Sequence, residues 1–179
     1  PPPPPGAPNI VVVVVDSLRA DHCGFLGYSR PTTPGLDILS EKGVIFENAL
    51  SSSGWTKPAV GTLFTGLIPS SHGAVSRMSV VSGRHGAALK APALTLPEIL
   101  RNRGWRTGVF SNNPNVLHKY GFTQGVEHFS NYWEVLGYEA GRAESMVQDV
   151  LEWIGGLSEP LLLFRFLQYL ITESSAGFS

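Results

Sequence analysis

Residues 10–15, Ile-Val-Val-Val-Val-Val, are six β-branched side chains in succession, and no other feature narrows the choice of fold as far. Two heavy atoms on each Cβ crowd a helix and suit a pleated strand. The run is too short for an ordinary helix and apolar on both faces that a strand presents. It predicts a strand buried between two layers, the pattern of a parallel sheet covered by helices on either side. The run stops at Asp16-Ser17. A carboxylate at the C-terminal end of such a strand lies where α/β sheets bind ligands; it can equally cap the loop that follows.

Strands and helices alternate after that point. Thr33-Pro34 reads as an N-cap with a first-turn proline, opening a short helix to Lys42 that Gly43 stops. Residues 44–50 read as a mixed strand, and residues 67–93 as a long polar loop. Thr95-Leu96-Pro97-Glu98 is a capping box whose helix runs to Arg103 with Gly104 as its stop. Residues 105–111 read as the next strand. Met146, Val147, Val150, Leu151 and Ile154 trace one face of a helix over residues 143–154. Residues 160–170 form a last apolar run, read as a strand, although a run of this length could be a buried helix. The fold class expected is α/β, a mainly parallel sheet flanked by helices.

Between the second and third of these units lies SSSGWTKPAVGTLFTG, residues 51–66. Pro58 suits the first turn of a helix, where its missing N–H is not needed, and Gly66 suits the end. Leu63 and Phe64 are expected on its apolar side. Thr56 therefore falls at or just before a helix N-terminus, where backbone N–H groups and the helix dipole can hold an anion. A threonine there can also be an ordinary N-cap. Lys57 is an electrostatic contact for an anionic substrate on one reading and a solvated surface lysine on the other.

Thirteen basic against fourteen acidic residues give no field to attract nucleic acid or an anionic membrane. One cysteine, Cys23, excludes an internal disulfide. The uninterrupted apolar runs are too short to cross a bilayer, and no charged-then-apolar leader is visible.

Five segments, in order, resemble the sulfatase family of the alkaline phosphatase superfamily. PNIVVVVVDSLRAD is similar to that family's first strand, ending in a metal-binding acid. PTTPGLDILSEKGVIFENAL resembles its "TPNLDRLAxxGvxFxNAy" region. Thr56, Pro58, Leu63, Thr65 and Gly66 keep the spacing of C/S-x-P-x-R-x-x-L-x-T-G, and Pro69 with His72-Gly73 matches the P-x-x-H-G that follows. Thr95 to Leu100 with Gly104-Trp105-Arg106-Thr107 resembles "TLpelLkeaGYrT". The resemblance implies residues 9–171 as the N-terminal part of a sulfatase-like catalytic domain, incomplete at its C-terminus. Residues 1–8 would be a proline-rich linker, and 172–179 an irregular tail where a "DPHxPY" loop would stand.

The departures bear on the chemistry. Sulfatases convert a Cys or Ser to formylglycine, and Thr56 cannot give that aldehyde because its Cβ carries a methyl group, so no formylglycine is expected. Cys23 lacks the motif around it. Val60 replaces the motif's arginine, Ser17 replaces the second acid after the first strand, and residues 109–113 lack the family's sulfate-binding Lys and His. Thr56 is instead similar to the nucleophile of superfamily members that attack phosphorus. The resemblance implies Thr56 as nucleophile, Asp16 as ligand of a divalent ion (Ca, Zn or Mn) and Lys57 as substrate contact. The expected activity is metal-dependent hydrolysis of a small anionic sulfate or phosphate ester through a covalent intermediate on Thr56. A phosphoethanolamine- or phosphoglycerol-type transferase is the enzyme alternative. A non-catalytic fragment or pseudoenzyme that keeps the fold is the other. The chain is expected to be a truncated piece, inactive alone, from a parent that is periplasmic or extracellular by resemblance. His72 is expected to be structural, and His22, His85, His118 and His128 show no ligand spacing.

Overall fold

The computed structural model describes residues 1–75, 87–133 and 143–168. His85 and residues 169–179, which include the irregular tail, lie outside them. The chain divides into two compact units, one formed by Pro1–Val14 with Ser52–Leu167, the other containing Val15–Ser51.

The first unit is built on a parallel four-stranded sheet flanked by helices. Its strands are β1 (Ile10–Asp16), β2 (Arg106–Ser111), β3 (His128–Asn131) and β4 (Leu161–Gln168), in the spatial order β1-β4-β2-β3. β2 runs parallel to both neighbours, with Val109 opposite Phe129 on one side and Phe164 on the other. The helices are α2 (Thr56–Thr65), α3 (Pro69–His72), α4 (Leu96–Arg101) and α5 (Ala143–Gly155); α1 belongs to the other unit.

Alternation along the strands assigns their side chains to two cores, one on each face. Val109, Leu162 and Phe164 join Val60 and Phe64 of α2 on one face. Phe110, Leu161 and Leu163 join Met146 and Val150 of α5 on the other. α5 turns Trp153 toward the sheet and leaves Leu151 56% exposed, so the expected stripe is shifted at that position. The capping box forms as expected: Thr95 Oγ1 accepts the Glu98 N–H, and Glu98 Oε2 accepts the Thr95 N–H at 2.8 Å.

β1 departs from the expectation of burial on both sides. Ile10, Val12 and Val14 pack on the first core, but Val11 and Val13 remain 55% and 52% exposed. Period-two alternation puts these two on the α5 face, where the described residues do not cover them. Residues 1–8 also do more than link: Trp105 Nε1–H donates to the Pro8 carbonyl at 3.0 Å, and Pro1 and Pro3 lie against Gly104.

The second unit contains two single turns, Ala20–His22 and Gly24–Leu26, and α1 (Pro34–Ser40). Thr33 precedes α1, but its hydroxyl does not cap it. Thr33 Oγ1 accepts the Gly24 N–H and donates to Asp37 Oδ1, which also accepts the Phe25 N–H, each at 2.9 Å. Residues 44–50 form no strand, contrary to the sequence expectation. A strand needs a neighbouring edge for its N–H and C=O groups and a layer for its apolar side chains. Among the described residues neither is supplied, and Val44, Phe46 and Leu50 stand 81%, 79% and 95% exposed.

Candidate active site

Thr56 is the first residue of α2; the cap position is Trp55, extended at φ −148° and ψ 160° and making no side-chain cap bond. The ordinary N-cap role is therefore not the one Thr56 plays. The helix closes at Gly66, which at φ 68° takes the left-handed conformation and donates its N–H to the Thr62 carbonyl at 2.7 Å. Lys57, Val60, Gly61 and Phe64 are buried along one face, and Leu63 is turned outward at 42% exposure. The expected apolar pair Leu63/Phe64 is thus replaced by Val60/Phe64. Val60, standing where the resemblance places an arginine, is 3% exposed and packs in the first core.

Lys57 is not a solvated surface lysine. Its side chain is fully buried, with Nζ 3.5 Å from the centre of the Tyr120 ring. The negative face of the ring compensates an ammonium withdrawn from water, by about 2 kcal/mol or more where solvent is excluded. Burial, followed by repulsion from Lys119, lowers the Lys57 pKa from its ordinary value.

α3 locks the back of this helix through His72, which is fully buried. Its Nδ1 accepts the Ala74 N–H at 3.1 Å, which places the ring proton on Nε2. Nε2 stands 3.2 Å from the Pro58 carbonyl and 3.3 Å from Thr62 Oγ1, and Ser52 Oγ donates to the same Thr62 oxygen at 2.8 Å. The imidazole fits because residue 61 is glycine: a Cβ there would come within 2.5 Å of His72 Cε1. The structural role expected for His72 is the one it plays.

Burial holds the His72 pKa below its ordinary value, against a raising contribution from the Pro58 carbonyl. His128 is lowered by burial as well, partly offset by Asp149. For both, the unfolded chain binds the proton first as pH falls, so stability rises with pH until the unfolded-state pKa near 6.5 is passed. Thermal unfolding midpoints are expected to be flat with respect to these groups above about pH 6.5 and to fall on acidification below it. His72→Gln should flatten that slope without removing it, because His128 remains; an unchanged slope would contradict the neutral buried imidazole.

Asp16 ends β1 half-buried and falls in the second unit, whereas Thr56 and Lys57 fall in the first. The residue after it, Ser17, has φ 66° and is the one non-glycine at positive φ among the described residues. That conformation costs an L-residue about 1–2 kcal/mol, and strain of this kind gathers at ligand sites. Nothing in the sequence signals it.

The remaining candidates are occupied elsewhere. His22 stacks on Tyr28, His128 stacks on Phe110, and His118 Nδ1 is 3.0 Å from Thr123 Oγ1. Cys23 is buried, its thiol donates to the Arg19 carbonyl at 3.4 Å, and burial raises its pKa, the reverse of what a reactive thiolate needs. An open cavity of about 450 Å³ in the second unit is lined by Phe25, Tyr28, Arg30 and Asp37 and contains neither Asp16 nor Thr56. Where the resemblance would place sulfate-binding Lys and His, the end of β2 carries buried Ser111 and Asn113. Asn131 Nδ2 bridges from β3 to the carbonyls of Asn113 and Val116; this buried network was not read from the sequence, where Asn112-Asn113-Pro114-Asn115 offers only the composition of a turn.

The described residues include no group of three or more His, Cys, Asp or Glu able to hold a metal ion. Asp16 offers a single carboxylate, and a hard divalent cation takes about six oxygens or more. By themselves these residues do not fit a complete cation site.

The family model described as Sulfatase matches residues 8–175. The chain is similar to human arylsulfatase A, 33% identical over 102 residues that make up 57% of this chain and 20% of that protein. It is similar to the N-acetylgalactosamine-6-O-sulfatase of Bacteroides thetaiotaomicron, 25% identical over 132 residues, 74% of this chain and 25% of that protein. The chain thus spans about a fifth to a quarter of the length of these relatives. In fold it is similar to the phosphonate monoester hydrolase of Agrobacterium radiobacter, with TM-score 0.69, 18% identity, and coverage of 90% of this chain and 41% of that one. It is similar also to the soluble domain of lipooligosaccharide phosphoethanolamine transferase A from Neisseria meningitidis, with TM-score 0.60, 17% identity, and coverage of 92% and 46%. No helix among the described residues is long and apolar enough to cross a membrane. The match over residues 8–175, on a parallel sheet with helices on both faces, makes this chain a member of the sulfatase family.

Proposed function

We propose that the chain supplies the nucleophile of a hydrolase of small anionic sulfate or phosphate esters, and that Thr56 Oγ1 is that nucleophile. The observation that carries the reading is the position of Thr56 as the first helical residue of α2, at a turn that no side chain of Trp55 caps. Negative charge developing on the nonbridging oxygens of a transferred group is stabilised there by the helix dipole. Lys57, the next residue of the same turn, adds positive charge. The Thr56 oxygen bonds to phosphorus or sulfur, the ester bond to the leaving alcohol breaks, and the hydroxyl proton ends on that alcohol. Water then attacks the Thr56 ester, restoring the hydroxyl and releasing the inorganic anion. Phosphorus is favoured over sulfur, because a threonine cannot become the formylglycine hydrate that sulfatases use.

A second reading follows from the fold shared with a phosphoethanolamine transferase: the first step is the same, and an acceptor alcohol replaces water in the second. Rapid quenching of the full-length protein with an aryl phosphodiester or an aryl sulfate separates these readings from a non-catalytic one. A Thr56-containing peptide bearing the transferred group supports the nucleophile; its absence during turnover removes it.

Asp16 is proposed as one oxygen ligand of a divalent cation. Metal content of the full-length protein is expected to drop in Asp16→Asn, which keeps the shape and loses the charge. Equal metal in both proteins would leave Asp16 as a loop residue.

A further inference from the structure

We propose that Tyr120 is a positioning residue for this reaction, its ring fixing the ammonium of Lys57, the residue that follows Thr56 in the first turn of α2. The inference rests on the reading of Thr56 as the nucleophile and adds a residue far along the chain that no motif singles out.

The ring is placed to do this. Tyr120 is 2% exposed. Its N–H donates to the Leu117 carbonyl at 3.0 Å, its carbonyl accepts the Leu89 N–H at 2.9 Å, and Gly121 turns the chain away at φ 83°. The backbone holding the ring is thus tied on both sides. Lys57 Nζ stands 3.5 Å from the ring centre, and the exposed Lys119 stands 5.3 Å from it. Two cations approach one aromatic face system, and the nearer belongs to the residue after the nucleophile.

A lysine has four rotatable bonds and a strongly hydrated head, so a buried, fixed ammonium needs a partner that selects one conformation. The face of Tyr120 provides that partner through its quadrupole. Held in this way, the charge acts at a constant place in a medium of low dielectric, where it is more effective than a mobile surface cation. Rate enhancement then depends on the ring only by way of Lys57. A ring that merely filled space would contribute whether or not Lys57 carried a charge.

The test is a double-mutant cycle in the full-length protein, read as kcat and KM on an aryl phosphodiester. Tyr120→Leu and Lys57→Met are each expected to lower kcat by about tenfold, with a smaller change in KM. The double variant is expected to match Lys57→Met alone, and Tyr120→Phe to restore most of the rate. Equal loss from Tyr120→Leu in both backgrounds would overturn the proposal, because it would show packing alone. Should Tyr120→Leu fold poorly, phenylalanine carrying one, two and three ring fluorines at position 120 keeps the shape while draining the negative face. A stepwise fall in kcat that vanishes with Lys57→Met supports the proposal; a flat series overturns it. Thr56→Ala separates the two levels: loss of turnover there with a flat fluorine series defeats only the role of Tyr120. Turnover surviving Thr56→Ala defeats the nucleophile and this inference with it.

Discussion

Replacing Thr56 by alanine in the full-length protein is expected to lower ester turnover by about a thousandfold or more, with Thr56→Ser keeping a measurable share. The reasoning is local. Without a hydroxyl no covalent ester can form, whereas serine presents the same oxygen without the methyl group that tethers its rotamer. Position 56 is the first residue of α2 and half-buried, with Trp55 in the cap position. Alanine is a good helix former and Trp55, not Thr56, holds the cap position, so the folded chain is expected to survive the change, with the unfolding midpoint measured alongside. Loss of rate at constant stability is the signature to look for, with kcat measured on an aryl phosphodiester and an aryl sulfate in parallel. Sulfate turnover that survives Thr56→Ala would show that the oxygen attacking sulfur comes from another group.

Local rules carried the fold as far as local chemistry decides it. Six β-branched residues placed β1, the pairing of Thr95 with Glu98 placed the start of α4, and Gly66 placed the end of α2. Each of those signals is spent within a few residues of where it is written. The misreadings involve partners distant in sequence. Whether Val11 and Val13 are covered depends on what packs over β1, and a run of valines reads alike either way. Residues 44–50 have strand composition, but composition does not supply an edge to pair with. β3 went unread because His128, Phe129, Ser130 and Asn131 show neither alternation nor a β-branched run. The site divides along the same line. The order of motifs pointed to Thr56 and Asp16, whereas the burial of Lys57 depends on Tyr120, and the positive φ of Ser17 is visible only in the backbone.

Phe64→Ala is expected to destabilise the folded chain by about 3–5 kcal/mol, the range for emptying a buried aromatic site. Phe64 is 1% exposed, stacks on Phe164 of β4 with ring centres 4.6 Å apart, and meets Phe122 edge-on at 5.4 Å. The ring therefore joins α2 to the sheet and to the segment after β2, and a truncation leaves a cavity that neither neighbour can fill without moving. Against a total stability of about 5–15 kcal/mol this is a large share, readable as a lower urea midpoint. Leu63→Ala, one residue earlier and 42% exposed, is expected to cost about 0.5 kcal/mol or less. The contrast between these neighbours tests the rotation of α2 about its own axis. Lys57 and Phe64 are seven residues apart and share a face, two turns along the helix. If the two truncations cost the same, α2 would be turned from the orientation described, and the buried ammonium on Tyr120 would be displaced with it.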